Sequence, residues 1–159
     1  MKRSHAAVLI KFGKIAVMRM IGYSRGRNTS SVRSRRKKIC DSYTSAFSKY
    51  NWAEAPLQKN AQRESCYHLY PLRIKGINEK QRDEIIKEIF VRDVSVNVHF
   101  IPVPMMSFYK KLGYKIKNYP NAYNNYSRAI SLPVYYDLTD ELVQTVIEAV
   151  VNSVEKTIK

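Results

Sequence analysis

Residues 67–100 of the chain, YHLYPLRIKGINEKQRDEIIKEIFVRDVSVNVHF, decide its fold class because their hydrophobic period changes along the way. The first part, Tyr67–Lys75, is predicted to form a strand in which alternate side chains share one side. Pro71 lies within this strand and has no backbone N–H to donate. We therefore expect an edge strand, or a bulge at this position. Gly76 then allows the chain to turn.

A helix and a second strand complete this stretch. Asn78 is a suitable N-cap for a helix that continues to Phe90 and buries a stripe of isoleucines. In Val94–Phe100 the valines alternate with polar residues, as expected for a half-buried strand. The order strand, helix, strand is typical of a domain that contains both helices and a sheet.

A further helix is predicted on the N-terminal side. Ile39, Tyr43 and Phe47 recur at every fourth position and form one stripe of a helix. The basic residues Arg35–Lys38 would be unfavourable at a helix N-terminus, so either the helix begins upstream of them or its start has been altered. Residues 50–64, with a proline and many polar residues, are predicted to form a loop.

Shorter elements are predicted on the C-terminal side. A helix from Met105 to Leu112 ends at Gly113, and another runs from Asn121 to Ile130. Ser131–Tyr135 is predicted to be extended. Thr139 caps the last helix, whose valines, leucine and isoleucine form a wide apolar face.

Together these elements predict an α/β fold with a small two-layer sandwich architecture. We expect a two- or three-stranded sheet, mixed or antiparallel, with flanking helices. A sheet of this size leaves one face in need of cover, so its exposed side is expected to pack on another domain.

The net charge of +15 is concentrated near the N-terminus. Residues 1–38 hold 12 of the 28 lysines and arginines and no acidic residue, which leaves 16 basic and 13 acidic residues elsewhere. We therefore divide the chain into a basic arm, residues 1–34, that is disordered or not a native part of the fold, and an ordered domain, residues 35–159. Such a run also suits nucleic acid, so the alternative function is a nucleic-acid-binding module that uses residues 1–38.

Cysteine usage and hydropathy indicate the compartment. Cys40 and Cys66 have no CxxC spacing, and the three histidines have no metal-ligand spacing, so neither a disulfide framework nor a metal site is predicted. No apolar run reaches the roughly 18 residues of a membrane span. We expect a cytoplasmic protein without membrane contact, although the acid-free start also resembles a mitochondrial transit peptide.

Several segments carry a family resemblance through their order and spacing. They are residues 67–73 (YHLYPLR), 96–103 (VNVHFIPV), 108–114 (FYKKLGY) and 130–135 (ISLPVY). This set resembles the C-terminal domain of the DegT-type, pyridoxal-phosphate-dependent sugar-nucleotide aminotransferases. Residues 35–43 are similar to the helix that leads into that domain.

The resemblance implies the small domain of a fold-type I aminotransferase, an enzyme that transfers an amino group to a nucleotide-linked keto-sugar for polysaccharide or lipopolysaccharide synthesis. In the family, a large N-terminal domain holds the pyridoxal phosphate (PLP) and the lysine that forms the Schiff base. No lysine here has a setting like the family's. We therefore expect that the chain has no catalytic or cofactor-binding residue and is inactive by itself. It is either an inactive remnant or part of a homo-oligomer or of a complex with a separate N-terminal half.

The resemblance also implies which residues contact the substrate. His99 and Phe100 match a loop that borders the family's sugar-nucleotide pocket, where His99 would donate a hydrogen bond to a sugar or phosphate oxygen. Tyr109 follows on a short helix and could stack on the base. The structural alternatives are a surface or capping role for His99 and plain packing for Tyr109. His68, inside an apolar strand, is expected to be structural.

Overall fold

The computed structural model describes residues 29–158. Its helices are α1 (Thr29–Phe47), α2 (Glu79–Val91), α3 (Ser107–Lys111), α4 (Pro120–Arg128) and α5 (Asp140–Ile158). Its strands are β1 (Ala53–Glu54), β2 (Tyr70–Ile74) and β3 (Ala129–Leu132). Single turns of 3₁₀-helix lie at Val103–Met105 and Ile116–Asn118. Within the described residues, no helix is long and apolar enough to cross a membrane.

The sheet is antiparallel, with β2 between β1 and β3. Tyr70 pairs with Leu132 and Leu72 with Ile130. Since directly opposite residues of an antiparallel pair point to the same side, these apolar residues share one face of the sheet. The predicted α/β fold with a small sheet and flanking helices is thus confirmed.

The core lies between that face and the three longest described helices. Leu72 and Ile130 are fully buried in one cluster with side chains of α1, α2 and α5. Fully burying an aliphatic side chain of this size contributes about 1.5–3 kcal/mol. The core therefore holds these helices on one face of the sheet. The opposite face of the sheet carries Arg73 and Ser131.

Pro71 lies in the middle strand of the sheet, so the expectation of an edge strand is wrong for β2. In the described part of the chain, β1 pairs only with Arg73 and Ile74, so it ends before it reaches Pro71. At Pro71 the ladder continues only toward Ser131 of β3. The missing N–H of the proline is therefore tolerated, because this end of β2 has a neighbour on one side.

The predicted strand Val94–Phe100 is wrong. Only Asn97 in this segment pairs with the sheet, through a single bridge to Ser131. The strand beside β2 is instead β3, Ala129–Leu132, which the sequence divided between a helix and an extended stretch. Every residue of β3 is buried, so its sequence shows no alternation of buried and exposed positions. A short strand of this kind cannot be recognised from hydrophobic periodicity.

Two other sequence-based expectations for local structure are corrected. Within the predicted loop 50–64, Ala53–Glu54 form β1. Residues 29–34, which the sequence assigned to a disordered or non-native arm, are helical and belong to α1. The prediction that this helix begins upstream of Arg35 is confirmed, while the rest of the arm, residues 1–28, lies outside the described residues. The boundary between arm and domain at residue 34 therefore stays a prediction.

Local capping explains where α2 and α5 begin. The Asn78 side chain accepts a hydrogen bond from the Gln81 N–H at 3.0 Å, and the Gln81 side chain accepts one from the Asn78 N–H at 3.1 Å. This reciprocal pair is a capping box. Thr139 Oγ1 accepts from the Leu142 N–H at 3.3 Å and caps α5 as predicted.

Candidate functional site

The segment between α2 and α4 displays the largest group of exposed apolar side chains in the described chain. We call residues 99–119 the aromatic loop. Phe100 is 72% exposed, Phe108 65% and Leu112 60%. Exposed apolar side chains clustered in this way mark a surface that binds a ligand or another protein surface. The aromatic loop is therefore the candidate functional site.

The bridge between Asn97 and Ser131 anchors this loop to the sheet. The Asn97 N–H donates to the Ser131 carbonyl at 3.1 Å, and the Ser131 N–H donates to the Asn97 carbonyl at 2.7 Å. Pro104, further along the loop, is buried. The loop therefore has two fixed points, one on each side of His99 and Phe100.

His99 and Phe100 are neighbours in the chain, but their side chains face different environments, and their contact with a substrate stays a prediction. Their rings are perpendicular, with centroids 4.7 Å apart. Nδ1 of His99 is buried and has no hydrogen-bond partner among the described residues. Phe100 lies largely in solvent. One nitrogen of the imidazole thus faces the protein, whereas Phe100 offers an apolar surface to a ligand.

Tyr109 belongs to a row of aromatic rings. Its ring is perpendicular to that of Phe108, at 5.5 Å between centroids, and to that of Tyr114, at 5.8 Å. Tyr114 in turn stacks on Tyr119 at 6.4 Å. Such edge-to-face contacts stabilise the loop. Tyr109 itself is half-buried within the row, and the more exposed rings are those of its neighbours.

The loop is also positively charged, a feature that the sequence-based site prediction missed. Lys110, Lys111, Lys115 and Lys117 are all exposed. The chain has no aspartate or glutamate between Asp93 and Asp137. Uncompensated lysines beside exposed rings suit an anion that carries an aromatic group. The acid-free run is visible in the sequence, but only the structure shows that its lysines lie beside exposed rings.

The remaining histidine and cysteine predictions concern other parts of the surface and core. His68 is exposed and lies just before β2 rather than inside it, and its structural role stays a prediction. Burial raises the pKa of the Cys40 thiol to about 12, so it stays protonated at neutral pH. Among residues 29–158, no group of three or more histidine, cysteine and acidic side chains could hold a metal ion.

A groove of about 480 Å³ lies between α1 and α5, away from the aromatic loop. Lys49, Asp140 and Gln144 are among the residues that line it, and all three are exposed. A small-molecule site normally combines apolar walls with a few convergent polar groups. The apolar part of its lining is limited to Ala46, Val143 and Ile147, so we place the candidate site at the loop with its larger apolar surface.

The described residues do not form a PLP site. A Schiff-base lysine must be desolvated, or lie beside another cation, to react as a free amine. All described lysines except Lys37 are exposed. Lys37 donates a hydrogen bond to Asp41 at 2.5 Å, which raises the pKa of its ammonium group, opposite to what that chemistry needs. No catalytic step can therefore be assigned to residues 29–158 through this cofactor.

Comparison with protein families and known proteins agrees with this architecture. The model of the DegT/DnrJ/EryC1/StrS aminotransferase family matches residues 19–151. The chain is 32% identical over 135 residues to the spore coat polysaccharide biosynthesis protein SpsC of Bacillus subtilis, covering 82% of this chain and 34% of that protein. It is 30% identical over 104 residues to UDP-4-amino-4,6-dideoxy-N-acetyl-beta-L-altrosamine transaminase of Campylobacter jejuni, covering 65% and 27%.

Solved structures give the same result. Spr1654 of Streptococcus pneumoniae, which is named as a sugar aminotransferase, superposes in its apo-form with a TM-score of 0.79 at 35% identity, over 82% of this chain and 32% of that one. Its PLP-form gives the same TM-score. The chain spans about a third of the length of these relatives. The chain belongs to the DegT/DnrJ/EryC1/StrS aminotransferase family.

Proposed function

We propose that the chain is the C-terminal portion of a PLP-dependent aminotransferase that acts on nucleotide-linked keto-sugars in polysaccharide or lipopolysaccharide biosynthesis. Two of its relatives carry names that refer to polysaccharide synthesis and to a UDP-linked amino sugar. Because the chain spans about a third of such proteins and its described residues include no lysine suited to the cofactor, we propose that it is inactive by itself.

The aromatic loop carries this proposal. His99, Phe100 and Tyr109 would contact the sugar nucleotide, and the exposed lysines would meet its diphosphate. A diphosphate requires cationic partners, and a base can stack on an exposed ring. The combination of exposed Phe100 and Phe108 with an acid-free run of lysines supports this role.

The same loop would meet the rest of the enzyme. Its exposed apolar side chains need cover, and a large cofactor-binding domain is the surface that such relatives would supply. That domain would come from a homo-oligomer or from a separate N-terminal half. The reaction would take place in the cytoplasm, in agreement with two unpaired cysteines, buried Cys40 and exposed Cys66.

The alternative of a nucleic-acid-binding module has no comparable support. The matched family and the relatives above are aminotransferases or polysaccharide-synthesis proteins. In the described part of residues 1–38, Arg33 pairs with Glu64, and Arg35 and Lys38 both pair with Asp140. Much of the basic charge of α1 is thus compensated within the domain and is not available to phosphates.

A cofactor-labelling experiment tests the proposal. The purified chain is incubated with pyridoxal phosphate and reduced with borohydride, and intact and peptide masses are measured. Sparse labelling over many lysines, or none, is expected, because the described lysines are exposed or ion-paired. A stoichiometric adduct on one lysine would show that this chain is an enzyme by itself and would overturn the proposal.

A further inference from the structure

Arg82 of α2 is the bulkiest of the fully buried side chains among residues 29–158. It is only 2% exposed, although a guanidinium stays charged in a protein. Burying a charge is unfavourable unless hydrogen bonds and opposite charges surround it. The partners of Arg82 therefore indicate which part of the fold this buried cation holds in place.

The side chain of Arg82 reaches from α2 to α4. Its Nη1 donates to the backbone carbonyl of Tyr126 at 2.8 Å, and its guanidinium carbon lies 4.9 Å from the centroid of the Tyr126 ring. On α2, its Nε donates to Oδ1 of Asp83 at 2.7 Å. A cation over an aromatic face is attracted to it, and hydrogen bonds from charged donors are among the stronger ones. Arg82 thus binds both the backbone and the ring of one residue of α4.

Glu79 binds the same helix from the preceding turn of α2. Its Oε1 accepts a hydrogen bond from the Tyr126 hydroxyl at 3.0 Å, and its Oε2 accepts one from the Tyr123 hydroxyl at 3.1 Å. Residues three positions apart lie on the same side of a helix, so one carboxylate can reach both tyrosines. We call Glu79, Arg82, Tyr123 and Tyr126 the α2–α4 cluster.

The helix that this cluster holds begins directly after the aromatic loop. The Tyr123 N–H donates to the Tyr119 carbonyl at 3.1 Å. Tyr119 stacks on Tyr114, whose ring is perpendicular to that of Tyr109. A displacement of α4 would therefore be passed on to the row of rings.

Much of the aromatic loop has no anchor of its own in the core. From Met105 to Tyr119, no residue is buried. Segments with few buried contacts open at a low cost in free energy. The position of the rings therefore depends on the elements at the two ends of this segment, which are buried Pro104 and α4.

We propose that Arg82 and Glu79 are positioning residues for the aromatic loop. They act through Tyr123 and Tyr126, which fix α4 and with it the C-terminal end of the loop. This role rests on the proposed function in one respect: the rings held in this way are those that would meet the sugar nucleotide.

Amide hydrogen exchange of the full chain, without a ligand, measures this positioning. The reporters are the N–H groups of Tyr114 and Tyr119, which donate to carbonyls within the loop. A double variant, Tyr123→Phe with Tyr126→Phe, removes both hydroxyls and keeps both rings. We expect the reporters to exchange about tenfold faster, the change that corresponds to the loss of a hydrogen bond to a charged group. The amides of α5 should keep their wild-type rates.

Variants of α2 test the two positioning residues directly. Glu79→Ala removes both acceptors and should reproduce the faster exchange of the reporters. Glu79→Gln keeps one acceptor oxygen at the same distance from the backbone and should restore part of the protection. Arg82→Met removes the cation and should give the same local effect. The tyrosine and glutamate variants decide the result if Arg82→Met does not fold.

Tyr43→Phe is the matched control. It removes the hydroxyl of a buried tyrosine that donates to the Pro133 carbonyl at 3.0 Å, outside the α2–α4 cluster. It should leave the exchange rate of the loop relative to that of α5 unchanged. Cluster variants that accelerate exchange equally in the loop and in α5, or that leave the loop unchanged, would overturn the proposal.

Addition of UDP-N-acetylglucosamine as a probe tests the proposed function separately. We expect the probe to shift loop resonances of the wild-type chain and to bind the cluster variants more weakly. Equal affinity for wild type and variants would contradict a link between positioning and binding. If the probe causes no shift in the wild-type chain, the substrate contact is contradicted, while the exchange result for Arg82 and Glu79 stands.

Discussion

Arg35 of α1 and Asp140 of α5 join the two longest described helices at one end of the domain. Nη1 of Arg35 donates to Oδ1 of Asp140 at 2.6 Å, and Nζ of Lys38 donates to Oδ2 at 2.6 Å. Arg35 also donates to the carbonyl of Leu138, just before α5. Asp140 lies in the first turn of α5, where the helix dipole favours a negative charge. One carboxylate thus compensates two cations of a strongly basic helix.

This cluster makes stability depend on pH. Hydrogen bonds from Lys38 and then Arg35 lower the pKa of Asp140 below its usual value. A lowered folded-state pKa stabilises the protein above the unfolded value of about 3.9, and this stabilisation is lost as the pH falls through the folded-state pKa. We expect Asp140→Asn to lower the urea midpoint at neutral pH, and the difference from wild type to shrink in acid. The measurement is urea unfolding followed by circular dichroism across pH.

The control for this prediction is Glu155→Gln, which removes an exposed carboxylate from the same helix. It should change the urea midpoint less than Asp140→Asn at neutral pH. A midpoint for Asp140→Asn that equals wild type at neutral pH would show that the cluster does not stabilise the fold.

The core prediction concerns the middle strand. Leu72 is fully buried between its neighbours in the sheet and the helices, so Leu72→Ala leaves a cavity. A buried Leu→Ala substitution costs about 2–5 kcal/mol, and we expect a loss of that size in the free energy of unfolding. Chemical denaturation measures it. Leu57→Ala, at a position that is 68% exposed, is the matched control and should change stability by less than about 0.5 kcal/mol.

The capping box of α2 gives a third prediction. Asn78→Ala removes the side-chain acceptor for the Gln81 N–H and should destabilise the domain by about 1 kcal/mol. Asn78→Asp keeps an acceptor at the same position and should retain most of the stability. Thermal melts of both variants measure this stability, and an equal loss of stability in both variants would contradict a capping role.

We expect Phe100 of the aromatic loop to contribute to ligand binding and not to the stability of the fold. Phe100 is largely exposed, so Phe100→Ala is expected to change stability by less than about 0.5 kcal/mol. If Phe100 contacts the substrate, the same variant weakens the chemical-shift changes that UDP-N-acetylglucosamine causes in the loop. Leu57→Ala removes a similarly exposed side chain at another site and should leave them intact. If the Phe100→Ala spectrum responds to the probe like that of wild type, Phe100 does not contact the probe.

The positive charge of the aromatic loop was recognisable in the sequence, but its position relative to the aromatic rings was not. The exposed lysines at residues 110–117 follow from composition, whereas their placement beside a row of rings required the structure. His99 and Phe100 were predicted together because they are adjacent in the chain. The approach of Ser131 to Asn97 was not predictable, because the two residues are far apart in the chain and a single backbone bridge brings them together.

The sequence by itself determined the elements that depend on short-range interactions. Asn78 and Thr139 cap their helices through neighbours three residues away, and the stripe of Ile39, Tyr43 and Phe47 is a property of one helix. Only the tertiary structure decided that Ala129–Leu132, rather than Val94–Phe100, pairs with β2. Strand pairing is a long-range choice, in which hydrogen bonds and burial between distant residues outweigh a local alternation of side chains.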